Sequence, residues 1–299
     1  MTIRQPETLE VKLFGGLGNQ LFIWSAANAI SATTQTKVQY SCNNLKSPSI
    51  CDLVKQKHSL TLINQENEFD SIIQRAIQKL ARNSRVVNKI FSYWTGRYML
   101  KEVGFDSDFK PNAKIHYLEG YFQSYKYFVD TSFEKLVENL DLTIYTEDGK
   151  NAEKFIEEND AICIHIRAGD YLQEANSYFG IMSPDYYLQA INEMRKSSAE
   201  NIFLLTDDIS FVKREFAALL QSSDKFFFGH DFNMGALEEF KIISRSRRIV
   251  IGNSTFSWWG AYLAGSNANV VAPSKWFKSK QDPKDLIPPN WKTVQSSWI

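Results

Sequence analysis

The chain has 299 residues, 43% hydrophobic and 23% charged, which is long enough for two ordinary domains and excludes an intrinsically disordered protein. Basic and acidic residues balance at 34 each, which excludes a whole-chain electrostatic attraction to nucleic acid. The cysteines Cys42, Cys51 and Cys163 lack zinc-binding spacing, and no apolar run approaches the roughly 18 residues that span a bilayer, so we expect a cytoplasmic protein.

The first predicted elements are a strand, a glycine turn and a helix. Residues 11–14 favour a strand, residues 15–20 read GGLGNQ, and apolar residues at helical spacing follow. Gly16 and Gly18 let a ligand or another backbone approach closely, and the helix start offers free amide protons to an anion. The turn has neither the third glycine of the dinucleotide fingerprint nor the lysine of a P-loop. It is either an anion-binding turn or a plain tight turn.

Residues 71–101 contain seven basic residues and no acidic residue. Apolar residues recur there at helical spacing, which places Arg75, Lys79 and Arg82 on one flank of an amphipathic helix. A basic amphipathic helix suits an anionic membrane, and it also serves as an ordinary solvated face. The first interpretation predicts peripheral contact with the inner face of the cytoplasmic membrane through residues 72–101.

Residues 120–128 are rich in aromatic rings and follow a predicted strand at 115–118. Tyr121 and Gln123 belong to this segment. Rings accompanied by amides and hydroxyls suit a sugar-binding wall, and the same composition is typical of an ordinary core edge.

The polar stretch at 145–150 is the predicted boundary between two domains, residues 1–150 and 151–299. Beyond it the hydrophobic pattern alternates between strands and helices from 161 to 272. Such alternation predicts a parallel sheet with helices on both faces. We therefore expect an α/β protein whose second domain is Rossmann-like.

Arg167 follows the predicted strand 162–166 and precedes a tight turn at Gly169. A guanidinium at the edge of a buried sheet needs an anionic partner, and open α/β sheets bind ligands outside the carboxyl ends of their strands. Arg167 is therefore a candidate anion clamp. The alternative is an arginine that extends to solvent or pairs with Asp170.

Two other predicted strands in this domain end in polar residues. Asp207 and Asp208 follow one strand, where a carboxylate can accept hydrogen bonds from a nucleobase or a ribose. Ser254 and Thr255 follow another, where hydroxyls and free amides at a helix start suit phosphate oxygens. Each pair can equally cap a helix, but together with Arg167 on one sheet edge they predict a nucleotide diphosphate pocket.

Five segments carry a resemblance to a known family. In chain order they read GGLGNQ, GYFQ, HIRAGDY, TDD and NSTFSWW, and they begin at residues 15, 120, 165, 206 and 253. In order and spacing they resemble the bacterial α-1,2-fucosyltransferases of glycosyltransferase family 11, over nearly the whole chain. The resemblance implies a GT-B-like fold, with two Rossmann-like domains facing a cleft. The N-terminal domain would then take the acceptor, and the C-terminal domain would bind the donor.

The implied reaction is an inverting transfer of L-fucose from GDP-β-L-fucose to the 2-hydroxyl of a terminal galactoside. The partners implied are GDP-fucose and a galactose-terminated glycan, lipid-linked in O-antigen or oligosaccharide synthesis. Neither a cofactor nor a metal is expected. Two alternatives stay open. One is a fucosyltransferase that makes an α-1,6 or O-linkage, and the other is a non-catalytic glycan-binding protein that uses the aromatic segment.

The resemblance also implies three residues of the catalytic machinery. Arg167 matches the family's essential arginine, expected to hold the β-phosphate and the glycosidic oxygen, where negative charge accumulates as the bond breaks. Asn19 lines the cleft from the other domain in related fucosyltransferases. Asp170 is our first choice of general base, although a dissociative route, in which a departing phosphate oxygen takes the proton, needs no carboxylate base.

The remaining implied roles concern binding. The residues expected to bind GDP-fucose are Gly16, Gly18, His165, Arg167, Asp207, Asp208, Asn253, Ser254, Thr255 and Phe256. Tyr121 and Gln123 are expected to bind the acceptor. Glu239 falls where similar chains carry an acidic residue, and it has no assigned role. The family usually has a second arginine where this chain has Ala168, which puts one phosphate contact in doubt.

Residues 106–108 read DSD, the pattern by which many other nucleotide-sugar transferases hold Mn²⁺ or Mg²⁺. Such triplets arise often by chance in a chain with 34 acidic residues, and the strands expected to hold a nucleotide lie after residue 160. We therefore expect no metal site at this triplet.

Overall fold

A computed structural model describes residues 8–42, 45, 47–55, 60–63, 80, 84–100, 103–110, 114–129 and 133–299. The chain forms two compact units. The first contains Met1–Asp141 and Pro283–Leu286, and the second contains Leu142–Asp282 and Ile287–Ile299.

The polar stretch at 145–150 begins a helix of the second unit, whereas the sequence analysis placed the domain boundary there. Thr146 is the N-cap, and its hydroxyl oxygen accepts a 3.0 Å hydrogen bond from the Gly149 amide. The same hydroxyl donates to the Glu238 carboxylate at 2.6 Å, within the second unit. The polar residues here cap and begin a helix, which is why their composition resembles that of a linker.

The first unit has a five-stranded sheet in the order β3-β2-β1-β5-β4, and all its strand pairs are parallel. Its described elements are β1 (Thr8–Leu13), α1 (Leu17–Thr34), β2 (Lys37–Cys42), α2 (Ile50–Leu53), β3 (Leu62–Ile63), α3 (Arg85–Thr95), β4 (Arg97–Met99), β5 (Tyr117–Glu119), a 3-10 turn (Tyr125–Tyr127) and α4 (Phe133–Glu138). Because β1 pairs with β5, the GGLGNQ turn and the GYFQ segment leave the sheet at the same edge.

The second unit has a six-stranded parallel sheet in the order β11-β10-β9-β6-β7-β8. Its elements are α5 (Glu147–Glu158), β6 (Ile162–Ile166), 3-10 turns (Gly169–Leu172, Glu174–Asn176), α6 (Pro184–Met194), β7 (Asn201–Thr206), α7 (Ile209–Glu215), α8 (Ala217–Leu220), β8 (Lys225–Phe228), a 3-10 turn (Gly229–Phe232), α9 (Ala236–Arg245), β9 (Arg248–Ile251), α10 (Thr255–Leu263), β10 (Asn269–Pro273) and β11 (Lys292–Val294). The two parallel sheets confirm the α/β class and the two Rossmann-like domains.

Strand β6 is fully buried, with β7 on one side and β9 on the other. From β6 the chain adds β7 and β8 in one direction, and then returns to add β9, β10 and β11 in the other. The strand order therefore reverses between β6 and β9. In open α/β sheets this reversal leaves a crevice at the carboxyl ends of the two strands, where ligands bind.

Within the described ranges, no helix is long and apolar enough to cross a membrane. The predicted basic helix with Arg75, Lys79 and Arg82 lies outside the described residues. Of that basic segment the structure describes Leu80 and residues 84–100.

Candidate active site

The reversal point of the second sheet brings three predicted segments to one edge. His165 of β6 pairs in register with Ile251 of β9, and Ile166 pairs with Thr206 of β7. The turns that begin at Arg167, Asp207 and Gly252 therefore leave the sheet side by side. This is the shared edge that the sequence predicts.

Arg167 is held between two carboxylates. Its Nε and Nη2 donate to Asp170 Oδ1 at 3.1 and 2.7 Å, and its Nη1 lies 2.7 Å from Asp207 Oδ2. The side chain is 31% exposed, so a ligand can reach it. The pairing with Asp170 that the sequence left as an alternative is present. It fixes the plane of the guanidinium and leaves that group accessible.

Asp207 also holds the turn after β6. Its Oδ1 accepts hydrogen bonds from the Ala168 and Gly169 amides at 2.9 and 3.2 Å. A Cβ on Gly169 would lie 2.5 Å from Asp207 Oδ2, so only glycine allows this approach. The structure thus places Asp207 as the anchor of the arginine turn.

Asp208 caps helix α7, as the sequence allowed. Its side chain accepts a 2.9 Å hydrogen bond from the Phe211 amide, and its own amide donates to the Thr206 hydroxyl. A carboxylate used in this way satisfies the start of a helix. Asp208 is therefore less available to a nucleoside than the sequence analysis assumed.

The loop between β9 and α10 is tied to its surroundings through Asn253. The buried Asn253 amide donates to the carbonyl oxygens of Phe179, Gly180 and Trp276 at 3.0 to 3.2 Å. The Tyr171 hydroxyl donates to the Asn253 carbonyl at 2.9 Å. Asn253 thus positions the loop, and Tyr171 links this loop to the arginine turn. The HIRAGDY motif contains Tyr171, but the sequence analysis gave it no role.

Helix α10 begins at this loop with Ser254 as its N-cap residue. The Ser254 side chain makes no capping hydrogen bond, and Ser254 itself is buried. The first amides of a helix have no acceptor within the helix and carry the positive end of its dipole. Those amides and the half-buried Thr255 lie at the same carboxyl edge of the sheet as Arg167.

His165 and Phe256 pack together beneath this edge, with ring centroids 5.4 Å apart. Burial, and then the charge of Arg167, lower the pKa of His165 to about 3. The imidazole is therefore neutral at any physiological pH. A group with so low a pKa is a weak base at pH 7.

Glu239, which the sequence analysis left without a role, is a carboxyl of this region whose pKa is raised. It lies half-buried in the first turn of α9. Burial, and then the negative charge of Asp207, raise its pKa to about 7. Perturbed carboxyls of this kind are enriched at functional sites.

The first unit has its own cluster at the edge shared by β1 and β5. Gly15 adopts a left-handed conformation with φ 78°, and a Cβ there would lie 2.7 Å from Asn19 Nδ2. Asn19 Oδ1 accepts a 2.8 Å hydrogen bond from Gln123 Nε2. Two residues predicted as separate site residues thus contact each other directly. Gly16 is the N-cap of α1 with open space around it, and Gly18 is buried in the first turn.

An aromatic pair lies beside this amide pair. The Tyr121 ring is 39% exposed and meets the Phe14 ring edge-on, with centroids 4.9 Å apart. Gln123 Oε1 is buried and has no hydrogen-bond partner within the described part of the chain. Phe14 was not among the predicted site residues because it reads as the end of a strand.

Asp106 of the DSD triplet is buried and forms a local turn. Its Oδ1 accepts a 3.0 Å hydrogen bond from the Asp108 amide, and its own amide donates to the Tyr127 hydroxyl at 2.8 Å. A carboxylate that bonds the amide two residues later is a common turn device. This geometry gives Asp106 a structural role.

The sequence of the chain matches a known family of glycosyltransferases. The sequence profile described as Glycosyl transferase family 11 matches residues 55–295, so the chain belongs to this family. An alpha-1,2-colitosyltransferase of Escherichia coli is 26% identical over 297 residues, covering 95% of this chain and 98% of its own. The O-antigen biosynthesis glycosyltransferase WbnK of Escherichia coli is 27% identical, covering 96% of this chain and 98% of its own. A galactoside 2-alpha-L-fucosyltransferase of Caenorhabditis elegans is 28% identical over 62% of this chain and 54% of its own.

Proposed function

We propose that this glycosyltransferase moves L-fucose from GDP-β-L-fucose to the 2-hydroxyl of a terminal galactoside, with inversion and without a metal. The observation that carries the proposal is the accessible Arg167 guanidinium, fixed by Asp170 and Asp207 at the reversal point of the second sheet. The fucosyltransferase and colitosyltransferase relatives support an α-1,2 transfer of a deoxy sugar.

Arg167 acts on the leaving group. As the bond between the fucose anomeric carbon and the β-phosphate oxygen breaks, negative charge builds up on the diphosphate. A cation held in place before the reaction stabilises that charge without reorganising, which lowers the barrier. Asp170 and Asp207 supply this fixation.

The same two carboxylates offset the positive charge of Arg167 when no donor is bound. The diphosphate therefore needs further donors besides the guanidinium. The amides at the start of α10 and the hydroxyls of Ser254 and Thr255 suit this task, because a helix start favours phosphate. Because the amides at the start of α10 and the two hydroxyls supply further phosphate donors, this proposal does not require the second arginine that the family usually has where this chain has Ala168.

The proton of the acceptor hydroxyl goes to Asp170 in this proposal. Asp170 uses Oδ1 for Arg167, while Oδ2 accepts no hydrogen bond from the described residues. The side chain is 40% exposed, so an acceptor can approach it. His165 is unsuited because its pKa lies near 3.

The acceptor side of the proposal uses the first unit. The exposed Tyr121 ring beside Phe14 suits the apolar face of a galactose ring. The linked amides of Asn19 and Gln123 suit its hydroxyls. These four residues combine an apolar surface with a few oriented polar groups, as sugar sites require.

A second candidate is transfer of colitose, because the colitosyltransferase relative aligns over 95% of this chain. Colitose is fucose without the 3-hydroxyl. A site that hydrogen-bonds that hydroxyl rejects the deoxy analogue strongly, because a buried polar group would be left unpaired. The relative activity with GDP-fucose and with GDP-colitose therefore distinguishes fucose transfer from colitose transfer.

The test is a set of parallel reactions with GDP-fucose and GDP-colitose over an array of galactosides, with linkage analysis of every product. We expect α-1,2-fucosylated galactosides and a kcat/KM for GDP-fucose at least about 100-fold above that for GDP-colitose. A preference for GDP-colitose would establish the second candidate. An α-1,6 or O-linked product, or glycan binding without transfer, would overturn the proposal.

A further inference from the structure

Helix α3 presents an apolar face to solvent. Val86, Ile90, Tyr93 and Trp94 are 68%, 57%, 70% and 80% exposed. Residues separated by four, seven and eight positions share one side of a helix. We call these four residues the α3 apolar face. Large apolar side chains scattered singly on a surface are ordinary, but four on one helix face mark an interaction surface.

The helix is anchored by packing along the side next to this face. Phe91 is buried against Met99, and Val87 packs on the same pair. At the start of α3 the Ser84 hydroxyl oxygen accepts a hydrogen bond from the Val87 amide. Gly96 ends the helix in a left-handed conformation with φ 66°. The helix is therefore bounded at both ends and anchored along one side, and the four residues of the α3 apolar face lie on the side next to it, where they are exposed to solvent.

The chemistry of the face is that of a membrane interface. Tyr93 and Trp94 meet edge-on, with ring centroids 5.8 Å apart, and Lys114 Nζ lies 5.4 Å from the Tyr93 ring centroid. Tyrosine and tryptophan concentrate where membrane and water meet, because each carries an apolar ring and a polar atom. The exposed aliphatic side chains of Val86 and Ile90 extend the apolar surface along the helix.

The positive charge around α3 indicates which kind of partner the α3 apolar face binds. Residues 71–101, which include α3, carry seven basic residues and no acidic residue. Two copies of such a segment would repel each other, which disfavours self-association through this face. An anionic lipid surface attracts the same segment and offers an apolar layer for the rings.

We propose that the α3 apolar face inserts into the interfacial layer of a membrane that contains anionic phospholipid. The helix lies parallel to the membrane surface, with Trp94 and Tyr93 at the level of the headgroups. The basic residues of the segment provide the long-range attraction, and the apolar face provides the contact. Neither contribution depends on which sugar the enzyme transfers.

The test is co-sedimentation of the full chain with vesicles of neutral phosphatidylcholine, with and without about 30% phosphatidylglycerol. We expect binding only to the anionic vesicles. The double variant Ile90→Ser/Trp94→Ser should lower the partition coefficient at least about tenfold, and about 1 M salt should do the same for the wild type. Tyr145→Ser, which changes a 65% exposed aromatic residue of the second unit, is the matched control and should bind normally.

A second measurement identifies the inserted residue. Brominated lipid should quench part of the tryptophan fluorescence of the wild type, and Trp94→Phe should still bind but lose that quenching. Equal binding to neutral and anionic vesicles, or unchanged binding of the double variant, would overturn the proposal. So would a double variant that changes the protein's own association state in solution while its lipid binding stays intact.

Discussion

Two arginines of the second unit lie at opposite edges of the same sheet, and each is paired with two acidic residues. Arg167 follows β6 at the carboxyl edge, beside Asp170 and Asp207, and its side chain is 31% exposed. Arg248 begins β9 at the amino edge, and its side chain is 6% exposed. Both clusters join one arginine to two carboxylates, so burial and the remaining partners distinguish them.

The Arg248 cluster is closed by the protein itself. Nη2 donates to the Met194 carbonyl at 2.6 Å and to Glu200 Oε2 at 2.9 Å, and Nη1 donates to the Asp160 carbonyl at 2.7 Å. Glu200 is only 5% exposed. A paired and enclosed arginine joins strand and helix ends, whereas the partly exposed Arg167 side chain is reached by solvent. The comparison teaches that an arginine at a strand end is a candidate site only where solvent reaches it.

The largest expected effect on stability comes from Arg248→Ala. The change leaves Glu200 buried without its cation, and breaking a buried pair in this way costs about 3–5 kcal/mol of unfolding free energy. Chemical denaturation at neutral pH measures the loss. The neighbouring Arg247→Ala, at an exposed position, is the matched control and should change stability by less than about 0.5 kcal/mol. Equal unfolding free energies for the two variants would contradict the stabilising role of the buried Arg248 cluster.

A smaller effect is expected at Glu239, and it depends on pH. Burial and the charge of Asp207 raise the Glu239 pKa from 4.5 to about 7, so the folded chain binds a proton that the unfolded chain releases. Between pH 4.5 and 7 the stability contributed by this proton is lost as pH rises.

Glu239→Gln removes that dependence. We expect the variant to match the wild type near pH 4 and to be more stable by about 2 kcal/mol at pH 8, a figure reduced for the partial exposure of the carboxyl. Denaturation curves across this pH range measure the difference. A variant that is less stable than the wild type at pH 8 would show that the Glu239 carboxylate is stabilised by a partner.

The sequence was a good guide wherever structure depends on local pattern. The alternation of strands and helices located β6 to β10, and the apolar run before Arg167 placed that residue at a strand end. It failed where a contact joins distant segments. Nothing local indicates that Asn19 bonds Gln123, or that Pro283–Leu286 returns to the first unit.

Two further differences have the same cause. The hydrophobic pattern of residues 209–220 predicts a single helix, but the chain forms two helices there that meet at Phe216, whose ring is fully buried. Strand β11 escaped prediction because its three residues, Lys292–Val294, show too little periodicity and depend on pairing with β10. The competing roles of Asp208, as cap or nucleoside ligand, also needed coordinates, since both roles use the same residue type at the same place.

The smallest expected effect concerns metal. Asp106 is committed to a turn, and the phosphate donors proposed above belong to the protein, so we expect activity in excess EDTA within about twofold of the untreated rate. Asp106→Ala should leave turnover within the same range while the protein stays folded. Loss of activity in EDTA, followed by recovery when Mn²⁺ is added, would contradict the metal-free mechanism.

The most direct test of the central claim is turnover of Arg167→Lys with GDP-fucose and an accepted galactoside. Lysine keeps the charge but removes the planar fork that Asp170 and Asp207 orient. We predict a loss of kcat of at least about 100-fold, or about 3 kcal/mol of barrier, with an unchanged denaturation midpoint. Near-normal turnover in a folded Arg167→Lys protein would contradict the account.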